Sequence, residues 1–219
     1  MMDLSKYRII DLSVEIVPGE RKVDGQYLHG EPAHGRPVEV QEFQAYGARM
    51  HFIQGQTHTG THAEANYKYA DTGTDLGAMP LASYLGEAAA CNLSHKQAEE
   101  PVVPEDLRTA GVKRGDIVLA WGNSATEPTP YLTDEAIEWL IEMRIKALAI
   151  ENLAYCPPGT PYGQNFGDAR LMRGGIAMID AIKGLEQITK PRVFFIALPV
   201  RMRRVTAFWT RAIALEAID

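Results

Sequence analysis

Cysteine is scarce in this chain. Cys91 and Cys156 are the only two, and they belong to no Cys-x-x-Cys pattern. A disulfide framework and a four-thiolate zinc site are therefore excluded, and free thiols in a reducing cytoplasm are the expectation. Long apolar runs are also missing, since no stretch approaches the roughly 20 residues that a membrane-spanning helix needs. The opening residues, Met-Met-Asp-Leu-Ser-Lys-Tyr-Arg, lack the apolar centre of a signal peptide. Positive charge is in deficit, with 22 Lys and Arg against 28 Asp and Glu and a net charge of −6. This leaves no basic footprint for nucleic acid. Neither a nucleic acid nor a membrane is the expected partner. No internal repeat or low-complexity segment is visible.

What remains has the composition of an ordinary globular protein, with 46% hydrophobic and 23% charged residues over 219 positions. Residues 1–219 read as a single domain, with 18–37 as a long loop or arm carrying His29 and His34. Residues 7–17 read as a strand ended by Pro18-Gly19. Residues 37–45 alternate, with Val38, Val40, Glu42 and Gln44 on one side and Glu39, Gln41 and Phe43 on the other. With 48–56 they predict an antiparallel pair across the Tyr46-Gly47 turn. A short helical piece is expected at Met79–Gly86 and a buried strand from Glu87, although its alanines would also suit a helix. Pro104 opens a short helix. Strand 116–121, helix 133–144 capped by Thr133 and strand 146–151 form a β-α-β unit with a parallel strand pair. Glu151 falls at the C-terminal end of its strand, where α/β sheets place chemistry. Asp168 caps a short helix, and strands follow at 176–180, 192–198 and 206–216. The class is α/β with a mixed, partly antiparallel sheet.

Residues 57–69, Thr-His-Thr-Gly-Thr-His-Ala-Glu-Ala-Asn-Tyr-Lys-Tyr, concentrate the chemistry. Gly60 between two threonines disfavours a helix and lets the backbone bend so that His58 and His62 converge. Glu64 then adds an oxygen. Two imidazoles and a carboxylate make an open three-ligand site for Zn²⁺ or Mn²⁺. A bound ion of that kind polarises a carbonyl and lowers the pKa of its water. The His-x-x-x-His spacing alone also arises by chance.

The segment His58-x-Gly60-Thr61-His62-x-Glu64-Ala65-x-x-Lys68-Tyr69 resembles the His-x-Gly-Thr-His-x-Asp-Ala-Pro-x-His-aromatic signature of the cyclase family, which includes kynurenine formamidases and isatin hydrolases. Ile9–Ser13, Met79–Gly86, Val112–Leu119, Ala197–Pro199 and Arg211-Ala212 extend the likeness along nearly the whole chain. The resemblance implies a swivelling β/β/α fold, a homodimer or homotetramer, and a divalent metal centre that hydrolyses C–N bonds of small amides. It places the first two histidines on His58 and His62 and the aspartate on Glu64. The third histidine falls on Lys68, and the downstream His and Glu fall on Asp168 and Asp180.

These departures carry a physical reading. A protonated lysine has no lone pair and cannot ligate a metal, but its ammonium can take a cation's place among Glu64, Asp168 and Asp180. Two readings follow. One is an arylformamidase-like hydrolase of a small amide, lactam or ester, with one ion on His58, His62 and Glu64, and Lys68, Asp168 and Asp180 as catalytic residues. The other is a catalytically silent member that binds a small molecule or partner. A rival for the second half-site is an oxygen-rich Mg²⁺ or Mn²⁺ site with Lys68 turned outward. Taken singly, Asp168 suits an N-cap, Lys68 a solvated position and Asp180 a turn.

Overall fold

The computed structural model describes residues 3–23, 26–27, 37–70, 72–125, 128–161, 163 and 166–218. His29 and His34 lie outside them. In chain order the strands are β1 (Tyr7–Asp11), β2 (Lys22–Val23), β3 (Gln26–Tyr27), β4 (Glu39–Ala45), β5 (Ala48–Gln54), β6 (His62–Glu64), β7 (Leu85–Asn92), β8 (Pro101–Val102), β9 (Ile117–Trp121), β10 (Tyr131–Leu132), β11 (Ala147–Glu151), β12 (Ala177–Asp180), β13 (Arg192–Ile196), β14 (Ala207–Trp209) and β15 (Ile213–Ala217). The helices are α1 (Pro104–Thr109), α2 (Asp134–Glu142) and α3 (Gly167–Arg173).

Nine strands form one sheet in the order β1-β15-β13-β7-β9-β11-β12-β6-β14. The middle four, β7, β9, β11 and β12, run parallel. Antiparallel strands flank them on both sides. The period of two in the buried strands sorts their side chains onto two faces. Ala88, Ala90, Ile117, Leu119, Ala147 and Ala149 join one core, and Ala89, Cys91, Val118, Ala120, Leu148 and Met178 join the other. The second core also takes Leu107 of α1, Ala136, Ile137 and Leu140 of α2, and Leu171 and Met172 of α3. All three helices therefore cover one face. The Glu87 segment is a strand despite its alanines, because small residues fit between two packed layers on both faces of the sheet.

The sheet curls. β14 and β15 stand seven positions apart in it, which would be roughly 34 Å in a flat sheet at ~4.8 Å per strand. Residues 210–212 alone join them, and three residues reach only about 10 Å. The expected single strand over 206–216 is thus two strands that serve opposite ends of the sheet. Thr210 donates its N–H to Thr61 O, and Ala212 donates to Ser13 Oγ, and these bonds hold the crossing.

Other boundaries differ from expectation for local reasons. β1 stops at Asp11 rather than running to 17, because the Asp11 carboxylate accepts the Ser13 N–H and turns the chain. Val14 N–H then bonds Thr61 Oγ1, which ties this segment to the histidine motif. The 18–37 segment contains the β2–β3 pairing. α2 matches its expectation, with the Thr133 hydroxyl accepting from Ala136 N and Ala136, Ile137 and Leu140 buried. Such a cap is worth about 1 kcal/mol. β9 and β11 pair in parallel as expected. Glu151, however, is not at the site. Its carboxylate accepts the N–H groups of Gly184 and Leu185 at 3.1 and 2.8 Å and holds that turn, while burial raises its pKa. Among the described residues no helix is long and apolar enough to cross a membrane.

Candidate metal centre

β6 is three residues long and paired on both sides. His62 stands opposite Asp180 of β12 and Trp209 of β14, and Glu64 stands opposite Met178 and Ala207. Directly opposed residues share a face, so His62, Glu64 and Asp180 all point to the helix-covered side, while Ala63 enters the other core. Gly60 has φ +60°, and a Cβ there would stand 2.7 Å from the Ile16 side chain. That backbone region excludes most L-residues, and the bend brings His58 back beside His62, with ring centroids 5.1 Å apart.

One nitrogen of each ring is positioned by a neighbour. His62 Nδ1 lies 2.7 Å from Gly60 O, and His58 Nε2 lies 2.8 Å from Thr206 Oγ1. The opposite nitrogens face Glu64 Oε1, His58 Nδ1 at 2.5 Å and His62 Nε2 at 3.3 Å. His58, His62 and Glu64 offer ligand atoms that all lie within 4.8 Å of one another. Tetrahedral zinc spaces its N and O ligands by about 3.4 Å, from bond lengths near 2.1 Å. The His62–Glu64 separation already fits that value. His58 and Glu64 are at proton-sharing distance and would part by about 1 Å around an ion. The donor set therefore fits a divalent metal.

The second half-site is organised by Lys68. A 3-10 turn over Asn66–Lys68 follows β6 and swings the side chain back. Lys68 Nζ lies 3.0 Å from both Glu64 oxygens and 3.4 Å from Asp168 Oδ2. Asp168 is not an N-cap. Helix α3 starts one residue earlier, after Phe166, with Gly167 packed against the Tyr155 carbonyl. Asp168 is thereby drawn into the first turn and under the site. Its Oδ2 accepts from Tyr69 OH at 2.7 Å, and its Oδ1 accepts from Ala169 N. Asp180 Oδ1 accepts from Tyr155 OH at 2.7 Å, and its Oδ2 lies 4.0 Å from His62 Nε2.

The electrostatics follow from this packing. Burial works against ionised Glu64, but hydrogen bonds from His58 and His62 and the charge of Lys68 outweigh it and hold its pKa far below the usual range. Burial likewise opposes the Lys68 charge, and Glu64, Asp180 and Asp168 overcome it and raise the pKa. His62 is raised by Glu64 and Asp180 against the pull of burial. Asp180 is raised by burial and by the Glu64 charge.

Three residues were not singled out as site members from sequence. Tyr69 and Tyr155 serve as phenol donors to Asp168 and Asp180. Thr206 carried no signal, because nothing local marks a hydroxyl that meets a ring 148 positions away. Trp121 packs in the core, and Tyr67 is exposed.

The profile of the family described as "Putative cyclase" matches residues 10–155, about two thirds of the chain. The chain belongs to the cyclase family. Solved structures share its fold over nearly their whole length. Isatin hydrolase A from Labrenzia aggregata, in a structure bound to benzyl benzoate, matches with a TM-score of 0.75 and 20% identity, covering 98% of this chain and 95% of that one. Isatin hydrolase A from Ralstonia solanacearum matches with a TM-score of 0.75 and 19% identity, covering 97% and 93%. A protein from Bacillus stearothermophilus described as a predicted metal-dependent hydrolase gives 0.73 and 18%, covering 96% and 98%. This cyclase-family chain thus shares the fold of the solved isatin hydrolases, and its His58–His62–Glu64 cluster could hold an ion.

Proposed function

We propose that the protein hydrolyses a small amide, lactam or ester with one divalent ion, Zn²⁺ or Mn²⁺, held by His58 Nδ1, His62 Nε2 and a Glu64 oxygen. The observation that carries this reading is the charge arrangement. Two carboxylates, Glu64 and Asp168, pair with one ammonium, Lys68, and a third, Asp180, adds its charge nearby. The excess is two negative charges, which one divalent ion beside two imidazoles offsets. When bound, the ion supplies Lewis-acid polarisation of a carbonyl and a more acidic water.

The chain's own residues do the rest. Lys68 fixes both Glu64 oxygens and presents positive charge beside the reacting carbonyl, where an oxyanion develops. Asp168, pinned by Tyr69, keeps Lys68 oriented. Asp180 has its Oδ1 occupied by Tyr155 and its Oδ2 open toward His62, so Oδ2 is the atom that takes and returns a proton. The partly buried setting weakens solvent screening and strengthens each of these interactions.

A second reading has its own support. Glu64 is already served by His58, His62 and Lys68. A set of donors closed on itself by protons also suits a member that binds without turnover.

The test is metal analysis of purified protein after Zn²⁺ or Mn²⁺ supplementation, combined with hydrolysis of N-formyl anilides, isatin-like lactams and simple esters. One equivalent per chain, lost in His62→Ala, and turnover of one substrate class are expected. Protein that stays metal-free after supplementation overturns the hydrolase reading. Full metal content in His62→Ala rejects the ligand assignment. Stoichiometric metal without turnover of any class gives the second reading.

A further inference from the structure

The two imidazoles of the candidate metal centre are held by partners of different kinds. His62 Nδ1 lies 2.7 Å from the Gly60 carbonyl oxygen, which can only accept. Nδ1 therefore carries a hydrogen in every state, and Nε2 is the ligand atom without rearrangement of the ring. His58 is different. Its Nε2 lies 2.8 Å from Thr206 Oγ1, and a hydroxyl both donates and accepts. Its Nδ1 lies 2.5 Å from Glu64 Oε1, closer than an ordinary bond between nitrogen and carboxylate, so a hydrogen lies between them. His62 Nε2, 3.3 Å from the same oxygen, already has the spacing that two ligands of one ion need. Entry of an ion therefore requires a change at His58 and none at His62. The backbone that presents Thr206 is fixed. Thr206 O accepts the Ala65 N–H at 2.9 Å, which extends the β6–β14 pairing by one bond. Val205 O accepts from Leu76 N, and Arg204 N donates to Asp75 Oδ2 at 2.8 Å. The Thr206 hydroxyl is thus a stationary point about which the His58 ring shifts.

We propose that Thr206 is a positioning residue for the metal centre, and that its hydroxyl turns from donor to acceptor at His58 Nε2 when His58 releases Glu64 and offers Nδ1 to an ion. This rests on the ligand set proposed above. With a hydrogen on Nδ1, the uncharged ring has its lone pair at Nε2, and the Thr206 O–H donates to it. A ring that ligates through Nδ1 carries its hydrogen on Nε2 instead, and that hydrogen needs an acceptor beside it. The ring loses one proton to water and gains another from water, so its charge is unchanged and Thr206 keeps its own. A carbonyl at this place would oppose the first state, and an ammonium would oppose the second. A hydroxyl serves both. The His58 side chain is 18% exposed, so an Nε2 hydrogen without an acceptor is costly there.

Zinc affinity, measured by competition with a chromophoric chelator, tests this without any substrate. The wild-type protein is expected to bind Zn²⁺. Thr206→Val removes the hydroxyl at nearly the same volume and should weaken Zn²⁺ binding about 10–100-fold. Thr206→Ser keeps the hydroxyl and should stay within about threefold of wild type. Thr206→Ala provides a second hydroxyl-free variant should Thr206→Val fail to fold. Rescue by serine separates positioning from packing, because serine restores the hydroxyl and not the methyl. Long-range nitrogen–proton NMR spectra in mildly alkaline buffer supply a second readout. His58 Nε2 should change from pyridine-like to pyrrole-like when Zn²⁺ is added, while His62 Nδ1 stays pyrrole-like throughout. Wild-type protein that binds no zinc defeats the ligand assignment itself and this inference with it. Zinc held equally well by the wild type and the hydroxyl-free variants overturns the inference alone. So does a loss in Thr206→Ser equal to that in Thr206→Val, or a His58 Nε2 of the same type in both states.

Discussion

Replacing Lys68 by methionine keeps the length of the side chain and removes its charge. Glu64, whose side chain is 1% exposed, then loses the cation that contacts both its oxygens, and Asp168 loses one of its two side-chain donors. Removing one partner of a buried ion pair costs about 3–5 kcal/mol. Lys68 is 19% exposed, so water reaches part of the gap and the lower end applies, ~3 kcal/mol. For a chain of this size each kcal/mol moves Tm by about 2–4 °C, which predicts a fall of roughly 6–12 °C at neutral pH. The deficit should shrink as pH falls, because the stranded carboxylates take up protons and no longer need a counter-charge. Mn²⁺ or Zn²⁺ should restore a substantial part of the loss by occupying the vacated place, and it should do so more in the variant than in the wild type. Circular dichroism melts at several pH values, with chelator or with added metal, measure all of this. A deficit under about 0.5 kcal/mol, with no metal-dependent recovery, would show that Lys68 behaves as an ordinary solvated lysine.

Three further outcomes follow from other contacts. Tyr155→Phe removes the donor to Asp180 Oδ1, so the Asp180 pKa, already raised by burial, should climb further in a carbon-13 carboxyl titration; an unmoved midpoint would count against the hydrogen bond. Glu216 is buried, which works against its charge, yet N–H bonds from Lys190 and Thr189 and the Arg8 guanidinium hold its pKa below the usual 4.5. A depressed carboxylate stabilises the fold above its unfolded pKa, so Glu216→Gln should cost about 1.5–3 kcal/mol at neutral pH, and the gap from wild type should close as pH drops below 4.5 in urea titrations. Gly167→Ala would drive a methyl into the Tyr155 carbonyl and Ile137, costing about 1–3 kcal/mol by thermal melts, and a melt unchanged from wild type would mean the turn has room to spare.

The sequence carried the site further than the fold's edges. The convergence of His58, His62 and Glu64 was legible because Gly60 between threonines disfavours a helix and permits the bend that brings the rings together. The pairing of Lys68 with Glu64 and Asp168 was legible as a charge exchange, since a cation that replaces an imidazole must find anions. The ribbon at 39–54 was legible from an imperfect, β-like alternation leading into the Tyr46-Gly47 turn. What stayed hidden was non-local. The break of 206–216 into β14 and β15 depends on Thr61 and Ser13, some 150 to 200 positions away, and no window of that segment reports it. Asp168 read as a cap because an acid before a helix usually is one. Only the close packing of Gly167 on Tyr155 O shifts the helix start and turns the carboxylate inward. Glu151 sits at the strand end where ligands gather, but two backbone N–H groups claim it first.

Strand β6 has only three residues, yet both of its edges are bonded, to β12 on one side and to β14 on the other. The amides that hold His62 and Glu64 in place thus belong to the same ladder that closes the curled sheet. Their protection against hydrogen exchange should therefore follow global unfolding rather than loop motion. The candidate metal ligands and the protein's stability would in this sense be one cooperative unit: weakening a distant seam of the sheet should loosen the site, and an ion seated on β6 should tighten the whole curled sheet.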